Sequence, residues 1–326
     1  MPSYTLDQLK GKLEDTINSI NWISSPVELY QPIAYALSLG GKRIRPLLVL
    51  LGNNLFNGNI EQAIPPAIGI ELFHNFTLLH DDIMDQAPLR RGKETVYRKW
   101  NLNAGVLSGD TMFALSYQYI ANIPPRFLPE VLSLFNTTAR EVCEGQQLDM
   151  NFETLNNVSI DDYLNMIRLK TAVLLACSLK IGAITGQANS QDADLLYSFG
   201  ENLGMAFQLQ DDLLDVYGDE TKFGKKIGGD IISGKKTYLY LEALELLPLP
   251  MHEILVASYN DKLLFPAQKI EKVKTLFDQI KVEEYTRKQI DLYFIKALLS
   301  LEKLNVSDTL KTDLRSLSES LLGRQY

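Results

Sequence analysis

Three aspartates close an apolar run in the segment "LLHDDIMDQAPLRRG", which extends from Leu78 to Gly92. Asp81 and Asp85 are four residues apart, so on a helix their carboxylates project from one face with Cβ atoms about 5–6 Å apart. A solvated acidic helix end is the ordinary interpretation of such a cluster. It fits poorly here, because carboxylates at a helix C-terminus oppose the helix dipole and raise one another's pKa. A divalent cation would relieve both effects, and oxygen ligands suit Mg²⁺.

The same arrangement recurs in "FQLQDDLLDVYGD", with aspartates at Asp211, Asp212 and Asp215. A single DDxxD match arises easily by chance, whereas two copies that each close an apolar helix do not. Two helices facing each other across a bundle core would bring both carboxylate pairs to one cavity, which could hold several metal ions. The motifs are not EF-hand loops, because the alternating oxygen ligands and the glycine at the sixth position are missing.

Basic residues stand beside glycine or proline turns near both motifs. Arginine binds phosphate through two parallel hydrogen bonds, and lysine acts as a point charge. Scattered surface charge is the ordinary interpretation, but four clusters at turns next to helix ends favour a binding role. The pattern predicts a Mg²⁺-diphosphate on the acidic side and a second diphosphate on the basic side. The basic residues are Lys42, Arg43, Arg45, Arg90, Arg91, Arg168, Lys170, Lys225, Lys226, Lys235 and Lys236.

Other kinds of site find no support in the sequence. The chain has no Walker A pattern, which excludes nucleotide binding of the P-loop kind. Its three histidines, His74, His80 and His252, have neither a zinc-site spacing nor a Ser/His/Asp arrangement. With a formal net charge of -8, nucleic acid and anionic membrane surfaces are not expected partners of the chain as a whole.

Composition and length indicate a water-soluble globular protein. The 326 residues are 46% hydrophobic and 22% charged, which is ordinary for this class. The N-terminal segment is polar and amphipathic, and no apolar run approaches about 20 residues, so we expect no signal peptide, no membrane anchor and a cytoplasmic location. Cys143 and Cys177 lie in apolar helical contexts, which predicts a buried, reduced pair and no disulfide framework.

Apolar residues recur at three- and four-residue spacing through most of the chain, and strand-like alternation is scarce. Glycine and proline interrupt this pattern, for example in "LGGKRIRP", "NIPPRFLP" and "LPLP". No low-complexity linker separates domains. The sequence therefore predicts an all-α fold, one domain over residues 1–326, built as a large helical bundle around a central cavity.

In combination these motifs resemble one family, the trans-isoprenyl diphosphate synthases. The resemblance covers nearly the whole chain in the family's order, and it implies the class I isoprenoid synthase bundle, a prenyltransferase activity and a homodimer. The motifs that carry it are Gly41-Lys42-Arg43 with Arg45, "HDDIMD" with Arg90-Arg91-Gly92, Gly109-Asp110, "GQQLD" at 145–149, Lys170-Thr171, "QLQDDLLD" and "GKKT" at 234–237.

The resemblance also implies roles for individual residues. Isopentenyl diphosphate would be held by Lys42, Arg45, His74 and Arg91. The allylic diphosphate would be held by Arg90, Lys170, Lys225 and Lys235. Asp81, Asp85 and Asp211 would bind Mg²⁺, about three ions per active site, with Asp82 and Asp215 as outer or partial ligands.

The expected reaction is ionisation, condensation and elimination. Breaking the allylic C–O bond concentrates negative charge on diphosphate, and preorganised cations stabilise that charge. The alkene of isopentenyl diphosphate then attacks the allylic cation, and a proton is lost to the released diphosphate. Thr171 and Gln208 would stabilise the cation by their dipoles, in a dry apolar cavity that keeps water away.

Product length would depend on the residues before the first aspartate motif. Phe76 precedes Asp81 by five residues, which is about 7.5 Å of helix rise. A single bulky residue at this depth resembles the synthases that make the C20 product, geranylgeranyl diphosphate. However, Phe76 lies about 140° round the helix from Asp81, and Thr77 about 40°. Phe76 is the expected gate, with Thr77 or a residue of a facing helix as the alternative.

Other assignments remain open at this level. An elongating synthase that makes C15, C25 or longer products fits the same motifs with a different tunnel. A class I terpene cyclase shares the fold and the ionisation step but lacks the pocket for a second diphosphate. A non-catalytic prenyltransferase subunit usually loses an aspartate motif, and both motifs are intact here.

Overall fold

The structure, a computed structural model, describes residues 4–155, 157–218, 227–261 and 263–323. Within these ranges the protein is almost entirely helical, which confirms the all-α prediction, and its one strand pair joins β1 (Leu89–Arg90) to β2 (Lys93–Glu94). The α-helices are α1 Leu6–Ser19, α2 Val27–Ser38, α3 Ile44–Leu55, α4 Ile60–Met84, α5 Val96–Lys99, α6 Leu102–Ile120, α7 Leu128–Thr154, α8 Ile160–Ile167, α9 Val173–Thr185, α10 Ser190–Tyr217, α11 Gly229–Ser233, α12 Tyr238–Leu246, α13 Leu249–Asn260, α14 Pro266–Gln279, α15 Val282–Glu302 and α16 Asp308–Leu322.

The helices form two compact units, each made of several chain segments. Unit 1 comprises Met1–Phe135, Cys177–Asp194 and Asn305–Asp313. Unit 2 comprises Asn136–Ala176, Leu195–Leu304 and Leu314–Tyr326. The single domain over residues 1–326 stays a prediction.

Helix α4 is the central element of unit 1. Asn59 caps its N-terminus, accepting a hydrogen bond from the Glu61 backbone N–H at 3.1 Å. The middle of the helix is buried almost without interruption from Ala67 to Phe73, because α3 and α6 pack against it. A helix that is apolar all round belongs in a core, so its few polar side chains are held in fixed surroundings.

A tight hairpin follows α4 and presents two arginines. Leu89 pairs with Glu94 and Arg90 with Lys93, leaving Arg91 and Gly92 as a two-residue turn. Both turn residues have positive φ, 53° at Arg91 and 76° at Gly92. A primed hairpin turn requires this conformation, which glycine adopts freely and arginine rarely.

In unit 2, α8 begins with a capping box and continues into a π-helix. Ser159 and Asp162 exchange hydrogen bonds between side chain and backbone, 3.0 Å from the Ser159 N–H and 3.1 Å from the Asp162 N–H. The five residues Arg168–Ala172 form the π-helix, a wider turn that is rare and often lies at functional sites. Tyr163 anchors this segment in the core together with Leu209 and Leu213 of α10.

The cysteine prediction is half wrong. Cys177 is buried and neither cysteine is in a disulfide, as expected, but Cys143 is exposed. It lies on the solvent side of α7, whose buried face passes through Ala139 and Val142 instead. Among the described helices, none is both long and apolar enough to cross a membrane.

Candidate active site

Helix α4 brings the first aspartate motif and His74 onto one element of unit 1. The helix is still regular at its C-terminal end, where the Asp85 N–H donates to the Asp81 carbonyl at 2.8 Å. The carboxylates of Asp81 and Asp85 therefore share a face, as predicted. Asp81 is half-buried and Asp85 is exposed.

Asp82 points inward and pairs with Arg90. Its side chain is 5% exposed, and Arg90 donates from Nε at 2.9 Å and approaches from Nη2 at 2.8 Å. Burial raises the pKa of the Asp82 carboxyl, and the contact with Arg90 opposes that shift. The acidic and basic residues of "HDDIMDQAPLRRG" are thus partners of each other, because the hairpin brings Arg90 back to the carboxylate of Asp82.

His74 lies among the arginines of the predicted diphosphate pocket. Its Nε2 is 3.2 Å from Nη1 of Arg45. Burial lowers the pKa of His74 well below its usual value, and the charges of Arg45, Arg91, Arg90 and Arg43 lower it further. A neutral imidazole can accept a hydrogen bond from arginine, so His74 holds the Arg45 guanidinium in place.

Two residues beside this pocket, Glu71 and Asn75, were not predicted from the sequence. Glu71 is buried one turn before His74, where it forms an ion pair with Arg43 and accepts a hydrogen bond from Asn75 at 2.6 Å. The only sequence signal was a glutamate and an asparagine in an apolar helical run, "AIGIELFHN". Lys42, the neighbour of Arg43, is exposed.

The second aspartate motif lies on α10 of unit 2, and its middle residue is again the buried one. Asp212 is 4% exposed, accepts a hydrogen bond from the Tyr163 hydroxyl and another from Nε2 of Gln208 at 3.1 Å. Burial and the neighbouring charge of Asp230 raise its pKa to about 8. Asp211 is only half-buried.

Asp215 organises the chain that follows its own helix. Its Oδ2 accepts the Asp230 backbone N–H at 3.0 Å, and its carbonyl accepts the Gly228 N–H at 2.6 Å. The side chain therefore fixes the start of α11. The role of Asp215 as an outer or partial metal ligand stays a prediction.

Two predicted diphosphate-binding lysines meet on one carboxylate of α7. Nζ of Lys170 is 2.5 Å and Nζ of Lys235 is 3.6 Å from Oδ2 of Asp149. Burial opposes ionisation of Asp149, but the two lysines together lower its pKa below the usual value. The carboxylate thus stays charged and holds both lysines in one place.

Thr171 and Gln208, the two residues expected to face an allylic cation, contact each other. The Thr171 hydroxyl donates to Oε1 of Gln208 at 3.1 Å. Thr171 belongs to the π-helix and Gln208 lies one turn before Asp212 on α10. This hydrogen bond fixes which end of the Gln208 amide is oxygen, since its nitrogen donates to Asp212.

Phe76 is part of an aromatic cluster between α4 and α6. Its ring centroid is 5.2 Å from Phe113, 5.6 Å from Phe73 and 4.8 Å from the His80 ring. Phe73 is fully buried, whereas Phe76 and Phe113 are half-buried. Thr77 is also half-buried, and its hydroxyl donates to the His74 carbonyl at 2.8 Å.

The predicted residues thus form two groups, one within each unit. Arg45, His74, Arg90 and Arg91 gather around the first motif, and the lysine pair and Thr171 accompany the second. The meeting of both aspartate motifs in one cavity stays a prediction, and Lys225 lies outside the described residues. In neither unit do three or more His, Cys, Asp or Glu side chains of the described residues form a group that could hold a metal ion.

Comparison with known proteins gives one consistent family. The sequence profile of the polyprenyl synthetases matches residues 26–279. A geranylgeranyl diphosphate synthase of Methanosarcina mazei is 37% identical over 246 residues, which cover 74% of this chain and 76% of that protein. A crystal structure of a geranylgeranyl pyrophosphate synthase superposes with a TM-score of 0.94 and 42% identity, covering 99% of this chain and 100% of the other.

Two further relatives bear on ligands and product. A geranylgeranyl pyrophosphate synthase of Corynebacterium glutamicum, complexed with isoprenyl diphosphate and magnesium, has a TM-score of 0.83 and 26% identity, covering 98% of this chain and 97% of the other. A geranylfarnesyl diphosphate synthase of Natronomonas pharaonis is 36% identical over 239 residues, 68% of this chain and 70% of that protein. Closely similar chains therefore differ in the product named for them.

Proposed function

Because the chain belongs to the polyprenyl synthetase family and is therefore a trans-prenyltransferase, we propose that it condenses isopentenyl diphosphate with an allylic diphosphate to give C20 geranylgeranyl diphosphate. The observation that carries the proposal is the gathering of Arg45 and Arg91 around His74, which lies on the same helix as Asp81, the helix that Asp85 caps. Anion-binding and cation-binding side chains then serve one small region, as transfer between two diphosphates requires.

Magnesium fits the donors that each aspartate motif offers. Mg²⁺ keeps several waters and takes one or two carboxylates together with substrate phosphates, so a pair such as Asp81 and Asp85 is sufficient protein ligation. Burial raises the pKa of the central aspartates, Asp82 and Asp212, and a nearby cation would favour their charged forms. Asp81, Asp85 and Asp211 would hold the ions, about three in number, and the bound metal would supply electrostatic stabilisation of the leaving diphosphate.

The side chains of unit 2 would prepare the allylic diphosphate for departure. Lys170 and Lys235 are held side by side by Asp149, so their charge is already in place when a diphosphate arrives. The C–O bond breaks with its electron pair going to the diphosphate, and these ammonium groups stabilise the negative charge that develops. Lys225 would share this role.

The allylic cation would be stabilised by dipoles and not by a full counter-charge. Thr171 and Gln208 are linked by a hydrogen bond, which fixes the orientation of their oxygens. The alkene of isopentenyl diphosphate attacks the cation and forms the new C–C bond. The proton that is then lost goes to the released diphosphate.

The C20 product is supported by several relatives of that name and by the position of Phe76. A ring packed on Phe113 about a turn and a half before the first metal ligand would limit the growing chain. A C25 product is the second candidate, because one relative of similar identity is named a geranylfarnesyl diphosphate synthase.

Purified protein would be incubated with Mg²⁺, labelled isopentenyl diphosphate and, separately, the C5, C10 and C15 allylic starters, and the products would be sized. Elongation to C20 with each productive starter supports the proposal. Products that stop at C15 or continue to C25 and beyond would retain the family reaction but overturn the assigned length. A homodimer and a cytoplasmic location belong to the same proposal, and sedimentation of the purified enzyme tests the former.

A further inference from the structure

A buried acid lies beneath the predicted isopentenyl diphosphate pocket. Glu71 of α4 is 4% exposed, and Asn75, one turn later, donates to it at 2.6 Å. A carboxylate this deep is costly unless charged partners compensate for the lost water. Its charged partner is Arg43, through the ion pair from Nη1.

Arg43 is turned into the protein. Its second terminal nitrogen, Nη2, donates to the Leu37 carbonyl at 2.5 Å, so the guanidinium joins the end of α2 to α4. Only 12% of its side chain is exposed. Arg43 is therefore a poor candidate for a direct diphosphate ligand, although it stands between Lys42 and Arg45 in the basic motif.

The Arg43 backbone needs external support. It has φ 48° and ψ 38°, the left-handed conformation, and immediately precedes α3 with no capping hydrogen bond from its side chain. A residue other than glycine is sterically strained there and keeps the conformation only when its surroundings enforce it. The contacts to Glu71 and Leu37 supply that constraint.

The other side of the loop is fixed by the hairpin arginine. Gly41 has φ 137°, and a Cβ atom placed on it would lie 2.6 Å from Nη2 of Arg91. The positive φ favours glycine, and a side chain at this position would force the Arg91 guanidinium to move. The segment from Gly41 to Arg43 is thus held between the Glu71 carboxylate and the Arg91 guanidinium.

Glu71 also limits the repulsion among neighbouring cations. Burial and the charges of Arg43 and Arg90 lower the pKa of Arg91, and Glu71 acts in the opposite direction. Arg43 and Arg90 each have a buried acidic partner, Glu71 and Asp82 respectively. A cluster of cations assembled for an anion is stable before the anion arrives only if part of its charge is offset.

We propose that Glu71 is a positioning residue for isopentenyl diphosphate. Through Arg43 it sets the conformation of the Gly41–Arg43 loop and so presents Lys42 and Arg45 to the diphosphate, while Arg43 itself makes no contact with substrate. The inference rests on the proposed function, since it assigns a role within that pocket.

The test compares Glu71→Gln with Glu61→Gln, which removes an exposed acid from the same helix. Glu61 forms an ion pair with Lys12 at the N-terminal end of the helix, and no second ion pair of Glu61 is found among the described residues. The KM for each substrate, kcat and the melting temperature would be measured for both variants and for Arg43→Lys, which keeps the charge but cannot reach both partners with a planar fork.

We expect Glu71→Gln to raise the KM for isopentenyl diphosphate about tenfold, the factor that corresponds to about 1.4 kcal/mol. The KM for the allylic substrate and kcat at saturation should change less than about twofold. Arg43→Lys should give the same selective change, and the double variant should be no worse than the more impaired single one, because the two residues act as a unit. Glu61→Gln should match the wild type in both KM values, in kcat and in melting temperature.

Three results would overturn the inference. One is an unchanged KM for isopentenyl diphosphate in folded Glu71→Gln. Another is an equal rise in KM for both substrates. The third is additive losses in the double variant. If Glu71→Gln fails to fold, Arg43→Lys decides alone by the same KM comparison. A wild-type enzyme that transfers no prenyl group would instead contradict the proposed function.

Discussion

Nζ of Lys170 lies 2.5 Å from Oδ2 of Asp149, a hydrogen-bonded ion pair between the π-helix and α7. Lys235 shares the same oxygen at 3.6 Å. The Asp149 carboxylate thus holds the two cations next to each other. The carboxylate is the element that prevents the two ammonium groups from repelling each other.

Asp149→Asn should raise the KM for the allylic diphosphate about tenfold and leave the KM for isopentenyl diphosphate unchanged. The reason is that the neutral amide no longer holds both lysines at one point. Steady-state kinetics with each substrate varied in turn measures this. A fall in the allylic KM would show that Asp149 merely competes with the diphosphate for the lysines.

Asp81→Asn and Asp211→Asn should each lower kcat by about a hundredfold or more while the fold survives. The amide keeps the volume of the carboxylate but loses its charge, so metal binding weakens. Circular dichroism would verify the fold, and Asp7→Asn, at an exposed position on α1, serves as the control. Near-wild-type turnover in either variant would contradict the assignment of metal ligands.

The two basic groups should separate kinetically. Lys42→Ala and Arg45→Ala are expected to raise the KM for isopentenyl diphosphate about tenfold, and Lys235→Ala that for the allylic substrate. The physical reason is that Lys42 and Arg45 belong to unit 1, where Arg45 contacts His74, whereas Lys235 lies beside Asp149 in unit 2. Equal effects of all three on both substrates would argue against separate pockets.

His74 should make stability depend on pH. Its pKa is lowered in the folded protein by burial and by Arg45, so below about pH 6.5 the unfolded chain binds a proton that the folded chain does not. The contribution of His74 is complete above that pH and is lost as the pH falls, with a slope of at most about 1.4 kcal/mol per pH unit. Urea unfolding at about pH 7 and about pH 5.5 measures it. His74→Gln should make the free energy of unfolding depend less on pH. If the variant depends on pH as steeply as the wild type, His74 is not the group responsible.

Phe76→Ala should shift the product from C20 to C25 or longer. The ring packs on Phe73 and Phe113 but is only half-buried, so we expect the loss of unfolding free energy to lie below the about 3–5 kcal/mol of a fully buried phenylalanine. Product sizing and denaturant unfolding test both statements. If folded Phe76→Ala enzyme still stops at C20, Phe76 does not limit the product length, and Phe113 or Thr77 becomes the candidate.

The sequence was informative where chemistry requires fixed spacing. The two DDxxD motifs predicted that Asp81 and Asp85 share a face at the end of α4 and that Asp211 and Asp215 share one on α10, because helix geometry alone determines which side chains share a face. The all-α fold followed from the same periodicity. Arg45 and His74 were assigned to one pocket from the resemblance, and the structure does place them in contact.

The sequence was less informative where packing between distant segments decides. The partner of Arg43 is Glu71, 28 residues away, and local spacing contains no signal for that pair. The same holds for Asp212 with Tyr163 and for Phe76 with Phe113. Cys143 was predicted to be buried because its neighbours are apolar, but the helix turns that side to solvent.

The most direct test of the account is a single-product assay with the C15 starter. Wild-type enzyme, farnesyl diphosphate, labelled isopentenyl diphosphate and Mg²⁺ should yield one labelled C20 diphosphate, and excess EDTA should abolish it. Incorporation that persists in EDTA would contradict the metal-dependent ionisation. A failure to extend the C15 starter, or its extension mainly to C25 and beyond, would contradict the assignment as a geranylgeranyl diphosphate synthase.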